Sequence, residues 1–331
     1  MHVIGAGAVG TVLTASLSRA RQQPRLIVRD VDLQRMAAVE TLRVERVSAG
    51  GMLDYPKPAI SVDYQFAEGD IVLICVKHRD LEDICARLAQ CPVADLVLVP
   101  CLNGVGVATR LRRQFPQWTI APMTIMFNAQ LLEPLHARIT TKPEVLLSTD
   151  EPSLLQRFTG SGLVVRRAED EAVAWGKLLI NLANALCALT HTTFKDLLSD
   201  PDMRRCFVMV LDEATGIMQA AGVRFDLPIA LPYRAYRALI QHGGPVPWWF
   251  ARLKNGLTDG AYPSMVADVE DGKETEVEQL NGQIVDMARE CGQSAPVNAR
   301  IVEMVSALHG QPQEYFLAPR ALRDRLEDAT H

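Results

Sequence analysis

His2-Val-Ile-Gly5-Ala-Gly7-Ala-Val-Gly10-Thr-Val-Leu-Thr-Ala-Ser-Leu17 decides how this chain begins: a short apolar piece runs straight into three glycines spaced Gly-x-Gly-x-x-Gly. The first piece reads as a buried strand, and Thr11 to Ala20 continues with helical spacing through Val12, Ala15 and Leu17. Strand, glycine turn and helix in that order present backbone amides and a helix N-terminus to a pyrophosphate. One glycine serves the tight turn, one lets phosphate approach the backbone, and one lets helix pack on strand. Gly5, Ala6, Gly7, Ala8, Val9 and Gly10 are therefore the candidate cofactor-binding turn.

Working outward, the strand Leu26 to Val28 ends at Arg29-Asp30, about where a ribose-recognising residue falls in such a unit. Two signals compete there. Asp30 suits the 2'-hydroxyl of NAD, whereas Arg29 suits the 2'-phosphate of NADP. Gly69 to Val76 is an unbroken apolar run that reads as a buried parallel strand and ends at Lys77. Asp80 to Ala89 reads as the following helix, and Leu96 to Val99 as another buried strand that ends near Asn103. Lys77 and Asn103 thus project from the carboxyl ends of strands, the edge where open α/β sheets bind ligands. From Pro122 to Val165 the pattern changes to short strand-like pieces, with one helical stretch near Ser153 to Phe158, and a first domain is expected over residues 1–167.

After Ala168 strand signals almost vanish, so residues 168–331 are expected to form a helical second domain. Helices are predicted over Val173 to Thr190, Met203 to Ala221, Ile229 to Ile240, Glu274 to Glu290 and Val297 to His309, with a tail to about Leu326. The first of these is almost wholly apolar yet carries Lys177, Asn181 and Asn184, which share one face at i, i+4 and i+7. A solvated face usually carries several mixed charges. One lysine flanked by amides fits a concave site with few, placed polar groups. Gly243 to Phe250 reads as a Pro/Gly break followed by aromatics that pack or form a lid. Ser264, in a loop, reads on its own as a helix cap.

With 331 residues the chain exceeds what one core usually supports, and 48% hydrophobic and 22% charged residues are ordinary for a globular protein. A net charge of -5 offers no attraction to nucleic acid or to an anionic membrane. Seven scattered cysteines with no Cys-x-x-Cys pair argue against a metal site or a disulfide framework and favour a reducing, cytoplasmic compartment. The start lacks a charged leader with an apolar signal core, and the longest uncharged run, Leu178 to Phe194, is expected to fall short of a membrane span.

Taken together, these residues resemble the ketopantoate reductase (2-dehydropantoate 2-reductase) family. The similar features are Gly5-x-Gly7-x-x-Gly10, Arg29 closing the second strand, Val76-Lys77, Asn103-Gly104, Trp175-x-Lys177-Leu-x-x-Asn181, Ser264-Met265-x-x-Asp268 and Glu276 just before Asn281-Gly282. They span nearly the whole chain in the family's order. The resemblance implies an NADP-binding Rossmann domain followed by an all-helical domain of the 6-phosphogluconate dehydrogenase C-terminal type. It also implies NADPH-dependent reduction of 2-dehydropantoate to pantoate, a step towards pantothenate and coenzyme A.

By that resemblance Lys177 is the general acid, Asn181 and Ser264 hold the substrate, and Asn103 lies between substrate and cofactor. Lys77, Ala129 and Glu276 would serve the nicotinamide or ribose side, and Arg29 the 2'-phosphate. Glu276 would alternatively hold the Lys177 ammonium. The family often has a second asparagine four residues beyond the first; this chain has Ala185 there, with Asn184 as a substitute one place earlier. The implied partner is a small 2-oxo acid; a homodimer is compatible with the sequence, which does not decide the oligomeric state.

Overall fold

The computed structural model describes residues 1–47, 51–168, 172–229, 231–255, 260, 262–310 and 316–330. The chain divides into two compact units, Met1–Asp170 and Glu171–His331.

In the first unit, β1 (His2–Ile4), α1 (Ala8–Arg19), β2 (Arg25–Ile27), α2 (Asp30–Arg35), β3 (Thr41–Arg46), β4 (Met52–Pro56), β5 (Ala59–Ser61) and β6 (Asp70–Ile74) come first. They are followed by α3 (Leu81–Leu88), β7 (Leu96–Pro100), α4 (Val107–Gln114) and β8 (Thr119–Ile120). Six of these strands form one sheet in the order β5-β2-β1-β6-β7-β8, and every pair in it is parallel. The order reverses direction between β1 and β6, which is the switch point of a doubly wound, Rossmann-type sheet.

The sheet is apolar on both faces because both are covered. Successive residues of a strand point to opposite sides. Val3, Leu26, Leu73 and Val99 accordingly join Val12 and Leu13 of α1 in one cluster. Ile4, Ile27, Ile74 and Leu98 join Leu81, Ile84 and Leu88 of α3 and Leu111 of α4 in another.

The rest of the unit is β9 (Met123–Ile125), β10 (Ala129–Glu133), β11 (His136–Ile139), β12 (Glu144–Ser148), α5 (Pro152–Gln156) and β13 (Val164–Ala168). Two further sheets result, β10-β11-β3-β4 and β13-β12-β9. The short strand pieces expected after Pro122 are therefore real, but β3 and β4 have no counterpart in the sequence reading. They pair with each other antiparallel, and β3 pairs parallel with β11. Leu42 and Val44 of β3 and Ala137 and Ile139 of β11 are buried in the same apolar cluster as α1.

Every described element of the second unit is helical: α6 (Ala172–Asn181), α7 (Ala183–Thr190), α8 (Phe194–Ser199), α9 (Pro201–Ala220), α10 (Tyr233–His242), α11 (Val246–Asn255), α12 (Ser264–Glu270), α13 (Gln283–Glu290), α14 (Pro296–Ser306) and α15 (Pro319–Asp328). A π turn, Glu278–Gly282, leads into α13. Starts are set by local chemistry: Thr193 and Asp196 form a capping box on α8, and Asp200 caps α9 ahead of Pro201.

The α6 helix passes into α7 without losing its ladder, since the Leu182 amide donates to the Leu178 carbonyl at 3.0 Å. Ala172–Thr190 is 19 residues long and apolar enough to cross a membrane by length and composition. That corrects the expectation that it would fall short, because the helix begins six residues before the uncharged run that starts at Leu178 and includes Lys177. With 67% of it buried inside the protein, it has the character of a core helix. Beyond the break at Gly243, Val246–Asn255 is a helix with Pro247 in its first turn, where proline is tolerated, and its Trp248 is buried.

Candidate functional site

The glycine turn follows β1 at the switch point, and each glycine stands in a different steric situation. Gly5 has φ of 100°, and a Cβ there would lie 2.7 Å from the Cys75 carbonyl oxygen. A Cβ on Gly10 would lie 1.9 Å from the carbonyl oxygen of Gly5, so only hydrogen fits between α1 and the turn. Gly7 is different: it is the N-cap of α1 with no side-chain cap, it is exposed, and a Cβ there would meet nothing within 4 Å.

Tight turn, helix packing and open approach are thus divided among three residues, as a phosphate cradle requires. Ala8, Val9 and Gly10 open α1, so their N–H groups have no helical carbonyl one turn earlier and are disposed to receive an anion. Ala6 and Val9 are half-buried at the rim of the α1 core.

Several of the other residues expected to serve the cofactor follow strands of the same sheet as β1. Arg29 is the N-cap of α2, exposed, and its Nε donates to Asp32 at 2.8 Å. That bond, with a further pull from Asp80, raises its already high pKa and keeps it cationic. Asp30, its rival in the sequence, is exposed as the first residue of α2.

Lys77 is half-buried just beyond β6, and Asn103 is half-buried beyond the neighbouring β7. The two loops are joined by His78, whose Nε2 lies 2.5 Å from the Asn103 carbonyl oxygen. Nothing in the sequence singled out His78, because its partner is a backbone carbonyl in a loop that follows a different strand. Ala129 is the first residue of β10, half-buried against the same apolar cluster as Ala6 and Val9.

The second unit holds the lysine. Lys177 is half-buried on α6, and burial pushes its ammonium down to about 8 while Glu276 pulls it back up. Asn181 ends α6 half-buried, and Asn184 on α7 is 9% exposed. The stripe is therefore partly enclosed rather than fully exposed to solvent. Ala185 is fully enclosed in the core.

Ser264 is the first residue of α12 and exposed. Pro263 takes the N-cap position, and no side-chain cap bond is made there, so capping does not explain this serine. The helix it opens packs on α7. Lys177 and Glu276, 99 positions apart in the sequence, are brought within electrostatic reach.

These features agree with what the chain is similar to. A family model described as ketopantoate reductase PanE/ApbA matches residues 1–151, and its C-terminal counterpart matches residues 171–309. The chain belongs to the ketopantoate reductase family.

Among its relatives is a 2-dehydropantoate 2-reductase of Aquifex aeolicus, 27% identical over 92% of this chain and 95% of that one. The crystal structure of a PanE/ApbA family ketopantoate reductase from Ralstonia eutropha superposes with a TM-score of 0.76 at 25% identity, covering 93% of this chain and 98% of that one. A D-mandelate dehydrogenase solved with NADH and anilino(oxo)acetate shares the fold at the same TM-score of 0.76 and 18% identity, again over 93% and 98% of the two chains.

Proposed function

We propose that this member of the family reduces the ketone of 2-dehydropantoate to the alcohol of pantoate, with NADPH as hydride source and Lys177 as general acid. The observation that carries the mechanism is a lysine on a core helix whose ammonium is pushed down to about 8. An ordinary lysine, near 10.4, is too weak an acid to be ideal at neutral pH.

The glycine turn fits a dinucleotide, since a side chain at Gly7 would meet open space and Ala8, Val9 and Gly10 open the helix α1. When bound, a reduced nicotinamide supplies the hydride to the keto carbon. Negative charge then develops on the former carbonyl oxygen, and Lys177 stabilises it and donates a proton there. Asn181, Asn184 and Ser264 offer two amides and a hydroxyl for an acid that itself bears a hydroxyl. Asn103 and Lys77 belong to the cofactor side, as does Ala129 through its backbone. Arg29, exposed and cationic beyond β2, suits a 2'-phosphate better than a 2'-hydroxyl.

A steady-state assay that follows NADPH absorbance with ketopantoate and a panel of other 2-oxo acids tests the reading. Turnover of ketopantoate should exceed that of the panel, and its rate should fall above pH about 8 as Lys177 loses its proton. Rapid turnover of another acid with none of ketopantoate would replace the substrate. Ala185, enclosed where the family often has an asparagine, supports a reductase of a different 2-oxo acid as the second reading. A plateau of activity through pH 9 would remove Lys177 from the acid role.

A further inference from the structure

The segment that follows Glu276 contains a feature the proposed reaction leaves unused. Asn281 lies in the π turn and is 0% exposed, and its Nδ2 donates to Asn298 Oδ1 at 2.9 Å. Asn298, also 0% exposed, donates from its own Nδ2 to Glu213 Oε1 at 2.8 Å. Glu213, from the middle of α9, further accepts the backbone amides of Val297 and Asn298 at 2.8 Å each. Those are first-turn donors of α14, whose own N-cap position, Ala295, supplies no side-chain cap. One carboxylate therefore caps a helix from another element and, through Asn298, grips the π turn.

Stability alone does not account for this arrangement. Asn281 Oδ1 is buried with no hydrogen-bond partner among the described residues, and an amide left half-satisfied in a core costs stability relative to an apolar side chain. A π turn likewise makes poorer backbone hydrogen bonds than an α-helix, and such turns recur at functional sites. The Gln279 amide donates to the Glu276 carbonyl at 3.1 Å, so the backbone of Glu276 is tied directly to the turn.

Within the second unit, α7 packs on α6 and contains no charged residue. The Asp226 backbone packs on Gly176, but its side chain belongs to an exposed residue. Glu276 acts on Lys177 and favours its charged form against the effect of burial.

We propose that the Glu213–Asn298–Asn281 network positions Glu276 against Lys177 by fixing the π turn. The proposal rests on the reading of Lys177 as the proton donor, and it makes Asn281, Asn298 and Glu213 positioning residues. Glu276 favours the charged ammonium, so a displaced Glu276 leaves Lys177 easier to deprotonate. The alkaline limb of the pH–rate profile then moves to lower pH. A variant that is merely less stable loses amplitude and melting temperature without moving that limb.

The test measures kcat/KM for ketopantoate against pH in the full chain carrying Asn281→Ala, with Glu276→Gln as the direct comparison. Glu213→Gln is the second variant; it keeps the side-chain shape and one acceptor oxygen, and it carries the test if Asn281→Ala does not fold. The expected result is a limb lowered by half a pH unit or more in Glu276→Gln and shifted the same way in Asn281→Ala and Glu213→Gln. A limb lowered in Glu276→Gln but at its wild-type position in both network variants overturns the proposal. A limb that stays put in Glu276→Gln overturns instead the reading of the Lys177 and Glu276 pair on which the proposal rests.

Discussion

In the function we propose, the two units solve the problem of binding in opposite ways. At the switch point of the first, backbone would do the chemistry: three glycines shape a turn, and a side chain at Gly7 would meet open space at the start of α1. In the second, it is done by side chains whose properties are set by burial, with Lys177 on a core helix and Glu276 opposing the desolvation. A backbone site depends on what is missing, a Cβ, and fails through steric conflict. A side-chain site depends on what is present and fails through lost charge, while the fold around it survives.

That contrast can be broken in a graded series. Gly10→Ala should have the largest effect: its Cβ would sit 1.9 Å from the Gly5 carbonyl oxygen. We expect insoluble protein or complete loss of NADPH binding in a fluorescence titration; a soluble variant with normal affinity would show that α1 can move away from the turn.

Lys177→Ala comes next, with kcat/KM reduced by roughly two to four powers of ten while NADPH affinity and melting temperature stay near wild type. Near-normal turnover there would leave the second unit without its proposed acid. Gly7→Ala should weaken NADPH by about tenfold, equivalent to about 1.4 kcal/mol, without lowering the melting temperature, because the added methyl meets no protein atom. A lowered melting temperature with unchanged affinity would mean that Gly7 serves the fold rather than phosphate.

The smallest change is expected from Arg29→Ala. Its exposed guanidinium is already shared with Asp32, so the preference for NADPH over NADH, read as a ratio of kcat/KM values, should fall by only about severalfold. An unchanged ratio would pass cofactor choice to Asp30 or to another group.

The same contrast explains what the sequence could reveal. Strands buried on both faces announce themselves, as Asp70–Ile74 and Leu96–Pro100 do, and glycine spacing announces the turn. The β3–β4 pair escaped because only one face is buried: Leu42 and Val44 point inward between exposed or half-buried neighbours. The parallel partner of β3, β11, lies some 90 positions away, so no local pattern encodes the pairing. The start of α11 is hidden because Gly243, Gly244, Pro245 and Pro247 lie so close together, although proline in a first turn starts a helix as readily as it ends one.

Polar residues were easier to pick out than to assign. Lys177, Asn181 and Asn184 stood out as an interruption of an apolar pattern. His78, Glu213 and Asn298 did not, because their meaning lies in partners 25, 84 or 85 and 17 positions away along the chain.

The α6–α7 helix also bears on how the chain comes to be folded. The elements that pack on α7 include α9, α12, α14 and α15, and α15 spans Pro319–Asp328 at the far end of the chain. At roughly 5–20 residues per second of synthesis, the helix waits on the order of ten seconds for its last cover. During that interval an apolar rod of membrane-like composition is exposed to the ribosome's surroundings. Its exposure to aggregation at that stage is a consequence of element order, separate from the stability of the finished protein.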